Sequence, residues 1–83
     1  MKTVKLYALS TCGWCKKTRR LLDEHNIDHE CVYVDLLTGA EKDQTMQELK
    51  RWNPRRSFPT VVIDDAEVVI GFKEARLREV LEL

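Results

Sequence analysis

The sequence predicts a small α/β domain with the element order β-α-β-α-β-β-α and a mixed four-stranded sheet. Three observations carry that expectation. Short β-prone apolar runs at 3–9, 29–35, 60–63 and 67–70 alternate with helix-period segments at 13–25, 40–52 and 72–82. Two strands joined through a helix, as in the first half, form a parallel right-handed crossover. The last two runs, separated by Asp64-Asp65, read as an antiparallel hairpin. Eighty-three residues leave room for one domain, residues 1–83, and for no second.

Taken in order, the first run suits a central strand buried on both faces, because it is largely apolar and β-prone. In the following helix Trp14, Thr18, Leu21, Leu22 and His25 share one side, with Lys16, Lys17, Arg20 and Asp23 largely elsewhere. Asn26 is a natural stop. In the second strand Cys31 and Tyr33 alternate with Glu30, Val32 and Val34, leaving one mainly apolar face. Gly39 marks a loop before the second helix, whose inward candidates are Met46, Leu49 and Trp52. Asn53-Pro54 ends that helix, since proline disfavours the α region for the residue before it. Phe58-Pro59 leads into the β-branched Thr60–Ile63, Asp64-Asp65 turns the chain, and Gly71 closes the fourth strand. The last helix gathers Leu77, Val80 and Leu81.

Between the first strand and first helix stands Ser10-Thr11-Cys12-Gly13-Trp14-Cys15-Lys16-Lys17. The first N–H groups of a helix have no internal partner, and the macrodipole places partial positive charge there. A sulfur at that point is favoured as the thiolate, the form that attacks a disulfide. The second cysteine, one turn on, can then close a ring with the first. Cys12 is thus the expected nucleophile and Cys15 the resolving thiol, with Thr11 and Lys16 flanking them. Trp14 is expected at the exposed lip, where it would guide partners, in preference to packing with its helix.

Composition narrows the function classes. Fourteen Lys and Arg balance fourteen Asp and Glu, which argues against a general nucleic-acid or membrane-surface role. The basic residues do cluster, at Lys16, Lys17, Arg19 and Arg20 and again at Lys50, Arg51, Arg55 and Arg56. Lys5 interrupts the start of the chain, so no signal-peptide core is expected there, and no run approaches the length needed to span a bilayer. Three cysteines are an odd count and do not make a secreted disulfide scaffold. A reducing, cytoplasmic setting is the simplest expectation, and a Cys-x-x-Cys found there is more often catalytic than structural. With no surplus apolar stripe after the core is assigned, a monomer is expected.

The cysteine pair after the first strand, Phe58-Pro59 before the third and Gly71 after the fourth resemble the glutaredoxin family over essentially the whole chain. The resemblance implies a minimal thioredoxin fold with strand order 2-1-3-4 and a cis proline at Pro59. It implies that the residue before the proline, here Phe58, pairs its backbone with a bound thiol ligand, and that Arg55 and Arg56 stand where the carboxylate of glutathione is often met. Two departures stand out. Gly13-Trp14 replaces the common Pro-Tyr, and Ile70-Gly71-Phe72-Lys73-Glu74 replaces a Gly-Gly followed two residues later by Asp. A Gly-Phe there looks more like the redoxins that serve ribonucleotide reductase and draw on thioredoxin reductase.

The resemblance implies a disulfide oxidoreductase acting on protein disulfides or mixed disulfides. It carries no bound cofactor and draws electrons from glutathione, another small thiol or a thioredoxin reductase. Two competing readings are weighed beside it. Some glutaredoxins share an iron–sulfur cluster between subunits, usually through a single-cysteine motif. Cys12, Cys15, His25 and His29 also echo a two-cysteine, two-histidine zinc finger, but the helix between them would carry His25 about 15 Å or more from Cys15. Cys31 is most simply a small core or edge residue.

Overall fold

The computed structural model describes residues 3–83; Met1 and Lys2, part of the amino-terminal stretch considered above, lie outside the described residues. The elements are β1 (Val4–Ala8), α1 (Gly13–Glu24), β2 (Glu30–Tyr33), α2 (Gly39–Trp52), β3 (Thr60–Ile63), β4 (Glu67–Ile70) and α3 (Glu74–Leu81), with one 3-10 turn at Val34–Leu36. The sheet runs β2-β1-β3-β4. β1 is parallel to β2 and antiparallel to β3, and β3 is antiparallel to β4. This is the minimal thioredoxin fold, with the apolar first strand at the centre as its composition requires.

Alternation along the inner strands divides the apolar side chains between two faces. Val4, Leu6 and Ala8, with Val61, Ile63 and Val69, meet Cys15, Leu21 and Leu22 of α1 and Leu77, Val80 and Leu81 of α3. Tyr7 and Val62 point the other way, onto Val34 and Leu49. The result is three layers, with α1 and α3 on one face of the sheet and α2 on the other. Burial and then the hydrogen bond to Glu48 push the Tyr7 phenol above its usual range. Glu48 also receives Lys5 Nζ at 2.7 Å, tying β1 to α2.

Three local details differ from the sequence expectation. The buried residues of α1 are Cys15, Thr18, Leu21 and Leu22, while Trp14 and His25 are exposed. The small Cys15 fits beneath the helix, whereas the Trp14 ring finds its apolar partner outside the core, on Phe72. Gly39, expected in a loop, is instead the first residue of α2. The second strand stops at Tyr33, because Val34 turns into the 3-10 segment and is buried under α2. The hairpin turn is as expected: Asp64 and Asp65 take φ of +54° and +50°, a region acidic residues enter more readily than most. Asp64 is further held by Thr3, whose N–H donates to its Oδ1 at 2.7 Å.

Leu49 is the buried residue through which α2 holds its face of the sheet. Leu49→Ala is expected to cost about 2–5 kcal/mol, a large part of the stability of a domain this small. Urea unfolding checks this, and Met46→Ala, at a half-buried position of the same helix, should lower the midpoint by less.

Candidate active site

The sheet register brings three chain segments to one end. Tyr7 is opposite Thr60 and Thr60 is opposite Ile70, so the chain leaving β1, the chain entering β3 and the chain leaving β4 meet there. The Phe58–Pro59 peptide is cis. Pro59 is buried and its carbonyl accepts the Gly71 N–H at 2.8 Å, joining the second and third of these segments. Gly71 takes a φ of +82°, a conformation that favours glycine, so its place at the end of β4 is set by backbone geometry.

Cys12 is the N-cap residue of α1, with extended backbone, and its Sγ accepts the Cys15 N–H at 3.2 Å. Its own N–H donates to the Leu9 carbonyl at 3.1 Å, and its carbonyl accepts the Lys16 N–H at 3.1 Å. No acidic residue occupies the first turn, so the partial positive charge of the helix end is unopposed there. Cys12 is half-buried, whereas Cys15 is only 2% exposed. Burial first, and then the hydrogen bond with Cys12, push the Cys15 thiol up to about 12, against a weaker opposing pull from the Leu9 backbone. One sulfur is thus half-open at the end of the helix, and the other is a thiol one turn deeper whose burial holds its proton.

Beside them an open groove of about 260 Å³ is lined by Trp14, Phe58, Pro59, Gly71 and Phe72. Trp14 is 58% exposed and stacks on Phe72 with ring centres 5.9 Å apart. Lys17 Nζ lies 4.6 Å from the centre of the Trp14 ring, in cation–π range. Five of the residues singled out from the sequence therefore share one surface. Lys16 does not: it lines a second groove with Arg19, Arg20, Asp23, Glu24 and Tyr33. There Arg19 donates to Tyr33 Oη at 2.6 Å. Thr11 is exposed in the turn before Cys12. Arg55 and Arg56 are exposed on the loop ahead of Phe58, with no side-chain hydrogen bond or ion pair among the described residues, and Arg56 holds a φ of +52°. Cys31 is half-buried on β2 opposite Leu6, against the same core as Cys15.

Sequence reasoning missed the two clamps that hold the site's loops. Ser10 donates from its N–H to Asp35 at 2.9 Å and from its hydroxyl to the same carboxylate, which holds the Asp35 carboxyl below its usual range. Asn53 sends its carboxamide into the loop before Pro59. Neither pair is signalled by spacing, and Asn53 before Pro54 reads in the sequence only as a helix end. The four zinc-finger candidates do not converge. His25 caps the far end of α1 with Nε2 3.5 Å from Arg78, and His29 Nδ1 lies 2.9 Å from the Ile27 carbonyl. Among the described residues no three metal-binding side chains cluster.

The family model described as Glutaredoxin matches residues 4–68. An uncharacterized glutaredoxin-like protein of the rubredoxin operon of Clostridium pasteurianum is 30% identical over 79 residues, covering 95% of this chain and 97% of that one. Among solved structures, Methanosarcina acetivorans methanoredoxin superposes with a TM-score of 0.93 at 44% identity, over 98% of this chain and 85% of that one. A glutaredoxin from Methanosarcina mazei gives 0.91 at 47% identity, over 98% and 79%.

The buried Cys15 thiol makes the reduced fold less stable in alkali. Below about pH 9 the sulfur is protonated in the folded and unfolded chain alike, and its contribution is intact. Above that the unfolded chain ionises first, so stability falls as the pH climbs toward 12. At pH 10 the part owed to Cys15 is on the order of 1 kcal/mol. It is measured as the extra loss of wild type over Cys15→Ala in urea unfolding at pH 8 and 10.

Proposed function

The chain belongs to the glutaredoxin family, and on that premise we propose that it is a dithiol oxidoreductase in which Cys12 attacks disulfides and Cys15 resolves them. Family membership by itself makes thiol redox chemistry the general function. The observation that carries the finer reading is the N-cap position of Cys12, its sulfur receiving the Cys15 N–H at 3.2 Å with the second sulfur buried one turn deeper.

The cycle follows from that arrangement. The Cys12 thiolate attacks one sulfur of a substrate disulfide, forming the mixed disulfide and expelling the other sulfur as a thiolate. Cys15 gives up its proton and attacks Cys12 Sγ, which breaks the mixed bond and releases the second substrate thiolate. Two electrons pass from the dithiol to the substrate, and Cys12 and Cys15 end as a disulfide. An external thiol or reductase restores them. The groove lined by Trp14, Phe58, Pro59, Gly71 and Phe72 receives the substrate chain next to the reacting sulfur, with Phe58 offering backbone and the aromatic rings offering apolar contact.

Phe72 also bears on the electron donor. It stands where many family members carry a second glycine, and its ring stacks on Trp14 at the groove wall. The space a small glycine would leave for a glutamyl group is filled, and Glu74, in place of an aspartate, is engaged by Arg78 at 3.1 Å. This favours a reductase protein or another small thiol over glutathione.

Cys12→Ser is expected to abolish disulfide reduction, and Cys15→Ser to accumulate a mixed disulfide detectable by mass spectrometry. Full activity in the first variant, or normal turnover without trapping in the second, would remove the assigned roles. The oxidised protein should be reduced slowly by glutathione and faster by thioredoxin reductase or another thiol. Rapid turnover with glutathione alone would overturn the role given to Phe72.

A further inference from the structure

The loop that carries Arg55, Arg56 and Phe58 into Pro59 is built around one buried side chain. Asn53 is the C-cap residue of α2 and is 1% exposed. Its backbone N–H donates to Leu49 at 2.7 Å, and its carbonyl accepts the Arg56 N–H at 2.8 Å. Its Oδ1 accepts the Arg55 N–H at 3.1 Å. Its Nδ2 faces three acceptors: the Ser57 carbonyl at 3.1 Å, Ser57 Oγ at 3.0 Å and Thr60 Oγ1 at 3.1 Å. The Thr60 hydroxyl in turn donates to the Ser57 carbonyl at 2.8 Å, which leaves its oxygen free to accept from the amide.

We propose that Asn53 is a positioning residue for substrate binding, its carboxamide holding residues 54–58 in the shape that presents Phe58 and Pro59 to the groove beside Cys12. The inference rests on the oxidoreductase reading above. Three features separate this role from general support of the fold. The bonds run to the loop and to the first residue of β3, and the pairing of β3 with β1 and β4 does not depend on them. What they order is a segment whose arginine side chains are exposed and whose Phe58 lines the groove. They also grip the residues on either side of Arg56, the Arg55 N–H and the Ser57 carbonyl. Arg56 between them takes a φ of +52°, a left-handed conformation that a non-glycine residue keeps only when its surroundings impose it.

The chemistry of the position is specific. A side chain here must accept one N–H and donate to oxygens at the same depth, which a carboxamide does and a carboxylate does not. Aspartate would keep the Arg55 contact but set a carboxylate oxygen against the Ser57 carbonyl, and the Ser57 and Thr60 hydroxyls would have to turn to donate to it. Alanine would take away the Asn53 acceptor of the Arg55 N–H and leave the Ser57 carbonyl with the Thr60 hydroxyl alone, so the loop would lose the bonds that tie it to α2. The loop would then sample shapes in which Phe58 no longer meets the substrate, while the two sulfurs on α1 stay where they are.

The test measures turnover of insulin disulfides, with dithiothreitol as the electron source, in wild type, Asn53→Ala, Asn53→Asp and Thr60→Val. Thr60→Val keeps a β-branched residue of the same shape in β3 and puts a methyl group in place of the hydroxyl, so it decides the matter should the Asn53 variants fail to fold. The expected result is a KM for insulin raised about tenfold in the Asn53 variants. Thr60→Val should show a smaller rise in the same direction. In all three, kcat should stay within about twofold and the reduction potential of the Cys12–Cys15 pair should not move. An unchanged KM in the folded variants overturns the proposal. So does a parallel fall in kcat and shift in potential, which would mark Asn53 as support for the whole domain. A wild-type protein unable to reduce insulin would sink the oxidoreductase reading itself and this inference with it, so the two failures are distinguishable.

Discussion

The Cys15 N–H reaches Cys12 Sγ because Cys12 stands one residue outside α1, where the first-turn amides have no carbonyl of their own. At most helix starts an oxygen of serine, threonine or aspartate fills that role. Here a sulfur does, and the substitution changes what the cap is for. An oxygen cap only completes the helix, whereas a sulfur in the same place brings thiol chemistry to the positive end of the dipole. The same three-residue step places Cys15 at the third helical position, facing the sheet with Thr18, Leu21 and Leu22. One turn of helix therefore decides both which sulfur is open and which is buried.

That turn is useful only because the sheet fixes what lies next to it. β1 is an inner strand with side chains buried on both faces, so its exit point is fixed by pairing on either side. Its antiparallel neighbour β3 must begin at the end where β1 finishes, and β4, paired with β3, must finish there too. The loop before Pro59 and the Gly71-Phe72 segment are delivered to the sulfurs by strand order, without any long-range side-chain contact being needed to gather them. Loops so placed are free to differ between relatives, and Trp14 with Phe72 is how this chain has filled its own groove.

Most of the fold was legible because its signals are local or periodic. The β-branched Thr60–Ile63 run, the Asp64-Asp65 turn and the cysteines at a strand-to-helix junction each declare themselves within a few residues. The strand order and the cis peptide came only through the family resemblance, since spacing does not rank neighbours in a sheet. The face of α1 was displaced at its first turn, because periodicity weighs Trp14 as apolar without knowing that a second aromatic waits outside the core. Lys16 was grouped with the groove by proximity in sequence, but the helix turns it toward Arg19 and Tyr33 instead. The clamps made by Asp35 and Asn53 were invisible for a related reason: a polar residue that ends buried in someone else's loop looks, in sequence, like any other helix end or turn.

In the proposed cycle the unequal state of the two thiols also sets the order of events. Burial is the largest reason the Cys15 thiol is pushed up, and it persists throughout, but the hydrogen bond and the charge of Cys12 add to it. Before capture, the Cys15 proton is held by burial and by the neighbouring Cys12 sulfur. Once Cys12 is bound in a mixed disulfide it carries no charge, and that part of the restraint is gone. Loss of the Cys15 proton becomes easier at the moment when its thiolate has a disulfide to attack. A buried resolving thiol would otherwise be a poor nucleophile. Placed one turn behind the sulfur that is capped on capture, it is released by the substrate it must displace.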